Sequence, residues 1–263
     1  MRRPARNAVV VTVVSIAVVS ALIAAALLVA QRPGPPRQQA TGASPMPPAT
    51  KDASFGFLDM TDRDGVPVPV RWNPCQPIEY QLDLIDAPRG ARDAITTAID
   101  RTSEATGLAF VAEGDTARTA QGLWADAYFA DAVRAVYRPV LITVVSHDTF
   151  RSLGAPARAV AFAHPERGIQ GEADQYVAGI VVVDGDVPYP HEGRWSLSLV
   201  VEHELGHLVG LAHVRDPSEL MFSFEVAHGT IPDPIEGWGD GDLQGLEQLG
   251  ADQACLEQVR VAG

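Results

Sequence analysis

The chain has little cysteine, almost no lysine and a deficit of positive charge. Its 263 residues include two cysteines, Cys75 and Cys255, so at most one intramolecular disulfide can form. Lys51 is the single lysine, a bias that carries no structural reading. A formal net charge of −13 argues against a nucleic-acid partner, which would need a basic stripe. The five arginines before residue 38 (Arg2, Arg3, Arg6, Arg32, Arg37) have no acid among them, which leaves −18 on residues 38–263. That part is expected to be soluble and repelled by anionic membrane surfaces. No internal repeat is present.

One long apolar run stands out. Ala8 to Ala30 is uncharged over 23 residues. At about 1.5 Å per residue it covers the ~30 Å hydrocarbon core of a bilayer. A cleavable signal peptide has a shorter apolar stretch, of about 7–15 residues. The run therefore reads as a signal anchor, although Ala24 to Ala26 would also admit cleavage. Arg2, Arg3 and Arg6 keep the N-terminus inside, so either version exports the remainder of the chain. Gln31 to about Asp52, rich in Pro, Ala, Gln and Ser, cannot bury a core and reads as a disordered stalk. The expected organisation is 1–30 anchor or signal, 31–52 stalk and 53–263 globular domain. So short a stalk makes no folded inhibitory prodomain, and the exported domain is expected to be active without trimming. In an oxidising compartment Cys75 and Cys255 read as one disulfide, contributing about 4–5 kcal/mol on the chain-entropy model. The alternative makes Cys75 a fourth metal ligand that holds a zymogen inactive.

Within the globular part, Pro77 to Leu84 alternates as a strand, and Ala91 to Thr106 has helical spacing ended by Gly107. Leu108 to Ala112 reads as a second strand, and Val140 to Val145 as a central strand buried on both faces. Leu123 to Val136 fits either a helix or an excursion carrying a strand. Val160 to Ala163 and Ala178 to Val183 come next as strands, the first short enough for an edge. Ser196 or Ser198 can cap a helix running to about Leu211. A last helix, Leu243 to Leu249, begins at Asp242 and ends at Gly250. The pattern gives a mixed α/β or α+β fold: strands and helices in an upper lobe, then a small irregular lower lobe with one C-terminal helix. The helix near residue 200 would floor the cleft between them.

That helix carries the chemistry. Residues 203–213 spell H-E-x-x-H-x-x-G-x-x-H. Positions i and i+4 share a helix face, so His203 and His207 can aim two imidazoles at one point, with Glu204 beside it. Gly210 tolerates the positive φ that stops the helix and doubles the chain back to bring in His213. Three neutral imidazoles leave the fourth tetrahedral position of Zn²⁺ open for water, as catalytic zinc requires.

The motif resembles that of the metzincin metallopeptidases, whose extended form continues into a methionine-bearing turn. Met221 stands eight residues after His213, where matrixin-type members place that methionine. Arg71-Trp72-Asn73-Pro74-Cys75 and the ending from Gly241 to Cys255 are similar to bacterial secreted or membrane-anchored matrixins. The resemblance covers roughly residues 68–256. It implies a twisted, mostly parallel sheet and a zinc endopeptidase in which Glu204 is the general base and acid and Met221 packs beneath the metal. It also makes Val160, Ala161, Phe162 and Ala163 an antiparallel edge strand that binds extended protein or peptide substrates. Ser223 departs from the family, replacing the proline of matrixins and the tyrosine of astacin-type members. No second, structural zinc motif is evident.

Plainer readings accompany these. His147, His164, His191 and His228 read as surface or loop residues, with a further role weighed for His164 alone because it follows the expected edge strand. Asp184, Asp186, Asp240 and Asp242 offer oxygens to Ca²⁺, though turns and helix capping explain Asp184 and Asp242 equally well. Trp195 reads as a packing residue ahead of the helix. Two rival functions stand beside the peptidase: a catalytically silent zinc module at the cell surface, and a zinc amidase acting on a non-peptide cell-wall substrate. Oligomeric state and natural substrate are not legible.

Overall fold

Val140–Val145 is apolar or β-branched at every position and buried at every position. Its alternate residues enter two different cores: Val140, Ile142 and Val144 face the main one, Leu141 and Val145 a smaller one with Phe150 and Ile180. Burial on both faces is what a continuous apolar run predicts for a central parallel strand. This is the computed structural model of the chain, and it describes residues 54–118, 120, 139–153, 158–166, 174–223 and 235–257.

Eight strands lie among the described residues: β1 (Met60–Arg63), β2 (Val66–Pro69), β3 (Arg71–Trp72), β4 (Ile78–Asp83), β5 (Phe110–Asp115), β6 (Val140–Val145), β7 (Ala159–Glu166) and β8 (Gln175–Asp184). The first two form a separate hairpin. The other six make one sheet, ordered β3-β8-β6-β4-β5 and parallel throughout, with β7 added antiparallel along β8. The helices are α1 (Ala91–Thr106), α2 (His147–Ser152), α3 (Leu197–Val209) and α4 (Asp240–Leu249). Helix α1 buries Ala91, Ile95, Ala98, Ile99 and Thr102, a stripe that packs toward α3. The fold is thus mixed α/β, as the pattern of elements predicts, with the mostly parallel sheet that the resemblance implies.

Several boundaries move. Strand β5 begins at Phe110 and runs to Asp115, not Leu108 to Ala112, and Leu108 is a core anchor in the preceding loop. Strand β7 extends past Ala163 to Glu166, because its pairing with β8 resumes after an irregularity at His164/Pro165. Strand β8 starts earlier, at buried Gln175 and Tyr176. Helix α4 starts at Asp240 with Gly239 as N-cap, so Asp242 lies inside its first turn. The β1–β2 hairpin, β3 and α2 are additions. A turn at Asp64-Gly65, with φ of 55° and 82°, marks the hairpin. The expectations for residues 8–30, 31–52 and 123–136 lie outside the described residues. Among the described residues no helix is long and apolar enough to cross a membrane.

The two ends of the domain are fastened together. Cys75 and Cys255 form a disulfide, with Cα atoms 5.5 Å apart, which removes Cys75 from any role as a metal ligand. Arg71 Nη2 donates to the Ala254 carbonyl (2.6 Å), and Asn73 exchanges two hydrogen bonds with the backbone of Leu256.

Candidate metal centre

Helix α3 is buried on most sides, its polar Glu202, Glu204 and His207 included, so packing rather than local propensity fixes its place. Ser196 caps it, its hydroxyl accepting from the Leu199 N–H. At the other end Gly210 adopts φ 122°. Its N–H reaches the His207 carbonyl (3.1 Å) and the Leu211 N–H reaches Gly206 (2.8 Å), a Schellman-type ending. Two further carbonyls at this end find distant partners. Trp72 Nε1 donates to the Leu208 carbonyl at 2.8 Å, and the Leu58 N–H donates to Gly210 at 2.9 Å. The Ala212 N–H in turn donates to the Gly56 carbonyl at 2.8 Å. Residues 56–58 therefore form a strap across the turn that redirects the chain toward His213.

The three imidazoles converge. His203 Nδ1 lies 2.7 Å from the Leu220 carbonyl and His207 Nδ1 2.8 Å from the Leu211 carbonyl. A carbonyl can only accept, so both Nδ1 atoms carry the proton and both Nε2 atoms present lone pairs. His213 Nε2 stands 3.0 Å from His203 Nε2 and 3.1 Å from His207 Nε2, while its own Nδ1 is buried without a hydrogen-bond partner. Lone pairs aimed at one another repel unless a cation sits between them. Nitrogens held at ~2.0–2.1 Å from a tetrahedral zinc would be spaced about 3.3 Å apart, close to what is seen. Burial lowers the pKa of His203 to about 3 and of His207 to about 4, and depresses His213 further, with the neighbouring imidazoles adding to the effect at His203 and His213. All three rings are therefore neutral at pH 7, the form that binds a metal. Among the described residues this is the single group of three side chains able to share an ion.

Glu204 is buried beside the tripod. Burial raises its carboxyl to about 8, and the Ala161 N–H of β7, hydrogen-bonded to it, works in the opposite direction. One of the four residues expected on the substrate strand thus touches the expected base, and Val160, Ala161, Phe162 and Ala163 all lie on the antiparallel strand β7. Met221 is fully buried under the motif helix, and a Cβ at Gly206 would lie 2.6 Å from its sulfur. The Val214 N–H donates to the Met221 carbonyl and the Ser223 N–H to the Val214 carbonyl, both at 2.9 Å, which ties the third histidine's loop to the methionine turn.

Three charged residues that spacing does not reveal hold this turn. Glu219 accepts from the N–H groups of Gly241 (3.0 Å) and Asp242 (2.8 Å) at the start of α4. Asp242 accepts from the Leu220 N–H at 2.6 Å and from Gly239. Arg194 donates to the carbonyls of Pro217 and Glu219. Asp242 is thus a buried structural carboxylate. Asp184 pairs with His147 Nδ1 (2.6 Å), and Asp186 accepts the His147 N–H. Among the described residues the four aspartates weighed for calcium form no group able to share an ion, and the carboxylates of Asp184, Asp186 and Asp242 serve these internal bonds. His147 is exposed, as its surface reading expects, and its ring hydrogen-bonds Asp184. His191 is exposed, His164 lies on β7, and His228 falls outside the described residues. Trp195 packs on the core beneath the Arg158 guanidinium, 4.9 Å from its ring centroid.

A mostly parallel sheet above a helix bearing two of three convergent imidazoles, with a buried methionine turn below, defines the metzincin class of zinc metallopeptidases. The chain matches the matrixin model of peptidase family M10 over residues 76–249, well over half its length, and belongs to that family. It is accordingly a zinc-dependent metallopeptidase.

Proposed function

We propose that the chain is an endopeptidase acting on proteins or peptides, with zinc held by the Nε2 atoms of His203, His207 and His213. The observation that carries the reading is the convergence of those three atoms with Glu204 at their side. Zinc bound there would supply Lewis-acid chemistry, polarising the scissile carbonyl and lowering the pKa of a water toward neutrality. Glu204 then takes the proton from the attacking water and hands it to the departing amine. The burial that raises its pKa is opposed by any adjacent positive charge, which favours the carboxylate. The Ala161 N–H holds that carboxylate against β7, whose outer edge would align an extended substrate through backbone hydrogen bonds. Ser223 offers no phenol to a developing oxyanion.

The N-terminal run and charge distribution support an extracytoplasmic domain, anchored through residues 8–30 or secreted if that segment is cleaved, with 31–52 as stalk and 53–263 as the catalytic unit. The deciding experiment incubates the protein with a diverse peptide pool and reads cleavage by mass spectrometry. We expect cleavage that a chelator abolishes and that Glu204→Gln lowers by at least about 100-fold while zinc stays bound. Zinc-loaded protein that cleaves no peptide points to the non-peptide amidase, or, if no amide is hydrolysed at all, to a silent zinc module.

A further inference from the structure

Arg194 is the least expected charge near the tripod. It precedes the N-cap of α3 by two residues and is 4% exposed. Its Nη1 donates to the Glu219 carbonyl at 2.8 Å and its Nη2 to the Pro217 carbonyl at 2.6 Å, with the guanidinium 5.9 Å from the Phe222 ring centroid. The next carbonyl along, that of Leu220, receives the Nδ1 proton of His203 at 2.7 Å. His203 sits on the helix that Arg194 introduces, so a loop of contacts closes. The start of α3 grips residues 217–219, and these hold the carbonyl that orients a ring in the middle of α3.

We infer that Arg194 is a positioning residue for zinc binding, acting through the Leu220 carbonyl to fix the orientation and tautomer of His203. The guanidinium suits the task because its planar fork, unlike the single rotating nitrogen of a lysine ammonium, reaches two carbonyls from two separate nitrogens in a fixed geometry. Glu219 and Asp242 tie the same loop to α4, on its other side. Arg194 is the tie that joins it to the start of the motif helix. Without it the loop can drift relative to α3, and the His203 ring loses the acceptor that keeps Nε2 free.

This rests on His203 being a zinc ligand, and the test separates the two ideas. Zinc affinity is measured on the full chain in detergent by competition with a chromophoric chelator. The His203 tautomer is read by ¹⁵N NMR of the metal-free protein. Arg194→Gln is expected to weaken zinc binding by about 10- to 100-fold, with the His203 signal shifting from a single Nδ1–H tautomer to a mixture. Arg194→Lys should lie between. Arg101→Gln is the control: it breaks the pair with Glu202 on the same helix, away from residues 217–222, and should lower thermal stability with zinc affinity unchanged. A folded Arg194→Gln protein that matches wild type in affinity and tautomer overturns the assignment, as does an equal loss in Arg101→Gln. Should Arg194→Gln fail to fold, Arg194→Lys decides, and wild-type values there overturn it. Wild-type protein that binds no zinc would instead overturn the metal site itself.

Discussion

Replacing Trp72 by phenylalanine takes one donor from the end of helix α3 and leaves the ring's bulk mostly in place. The indole N–H meets the Leu208 carbonyl at 2.8 Å, in a site where the tryptophan is 7% exposed. That carbonyl has no partner four residues on, since the Ala212 N–H is committed to Gly56. A buried acceptor left unpaired costs about 1–3 kcal/mol. The smaller ring gives up roughly 40 Å² of apolar contact, about 1 kcal/mol. Together these predict a loss of about 2–4 kcal/mol, or roughly 5–12 °C in Tm for a domain of this size. Thermal unfolding followed by circular dichroism, with zinc and with chelator, measures it. Benzothienylalanine at position 72, which keeps the bicyclic shape without the N–H, isolates the hydrogen bond and should cost the first contribution alone. A drop under about 2 °C for Trp72→Phe would refute the claim that a distant side chain completes the helix end.

The same contacts set three further outcomes. Removing both half-cystines, Cys75→Ala with Cys255→Ala, frees a loop closed over 180 residues and should lower stability by about 5 kcal/mol in urea unfolding; a loss under about 1 kcal/mol counts against the chain-entropy account. Gly206→Ala gains about 1 kcal/mol of helix propensity but forces the Met221 sulfur and the Trp238 ring apart, an overpacking cost of about 1–3 kcal/mol, so the urea midpoint should fall, not rise. Burial raises the Asp242 carboxyl to about 7, above its unfolded value, so its protonation stabilises the fold fully below about pH 4 and that contribution fades as pH climbs through 7. Wild type should therefore lose on the order of 3–4 kcal/mol more than Asp242→Asn between about pH 4 and 8, and parallel stability–pH curves for the two proteins would contradict this.

Where a residue's role depends on its neighbours in sequence, the role is legible. The spacing of His203, His207 and His213 around Gly210 is local helix geometry, and the strand Val140–Val145 announces its two-sided burial in its own composition. Strand β5 is harder to place because its exposed face, with Glu113 and Asp115, carries no apolar alternation to mark it. The capping role of Asp242 is legible because it is local, a bond from the Gly239 N–H three residues back; its second bond, from the Leu220 N–H 22 residues upstream, is not. Trp72 and the strap at Gly56 and Leu58 are invisible for the same reason: the helix end they complete is 136 residues away in the case of Trp72. Long-range backbone acceptors leave no periodic trace.

The strap and the disulfide also set how little of this chain can be cut away. A recombinant fragment trimmed to the matched stretch, 76–249, would discard Cys75 and Cys255 alike, along with Trp72, Leu58 and Gly56. The turn leading into His213 would then face water on the side where it now finds backbone partners. Expression work should begin no later than Ser54 and continue through Glu257, whose carbonyl still accepts from the Gln175 amide at 2.8 Å.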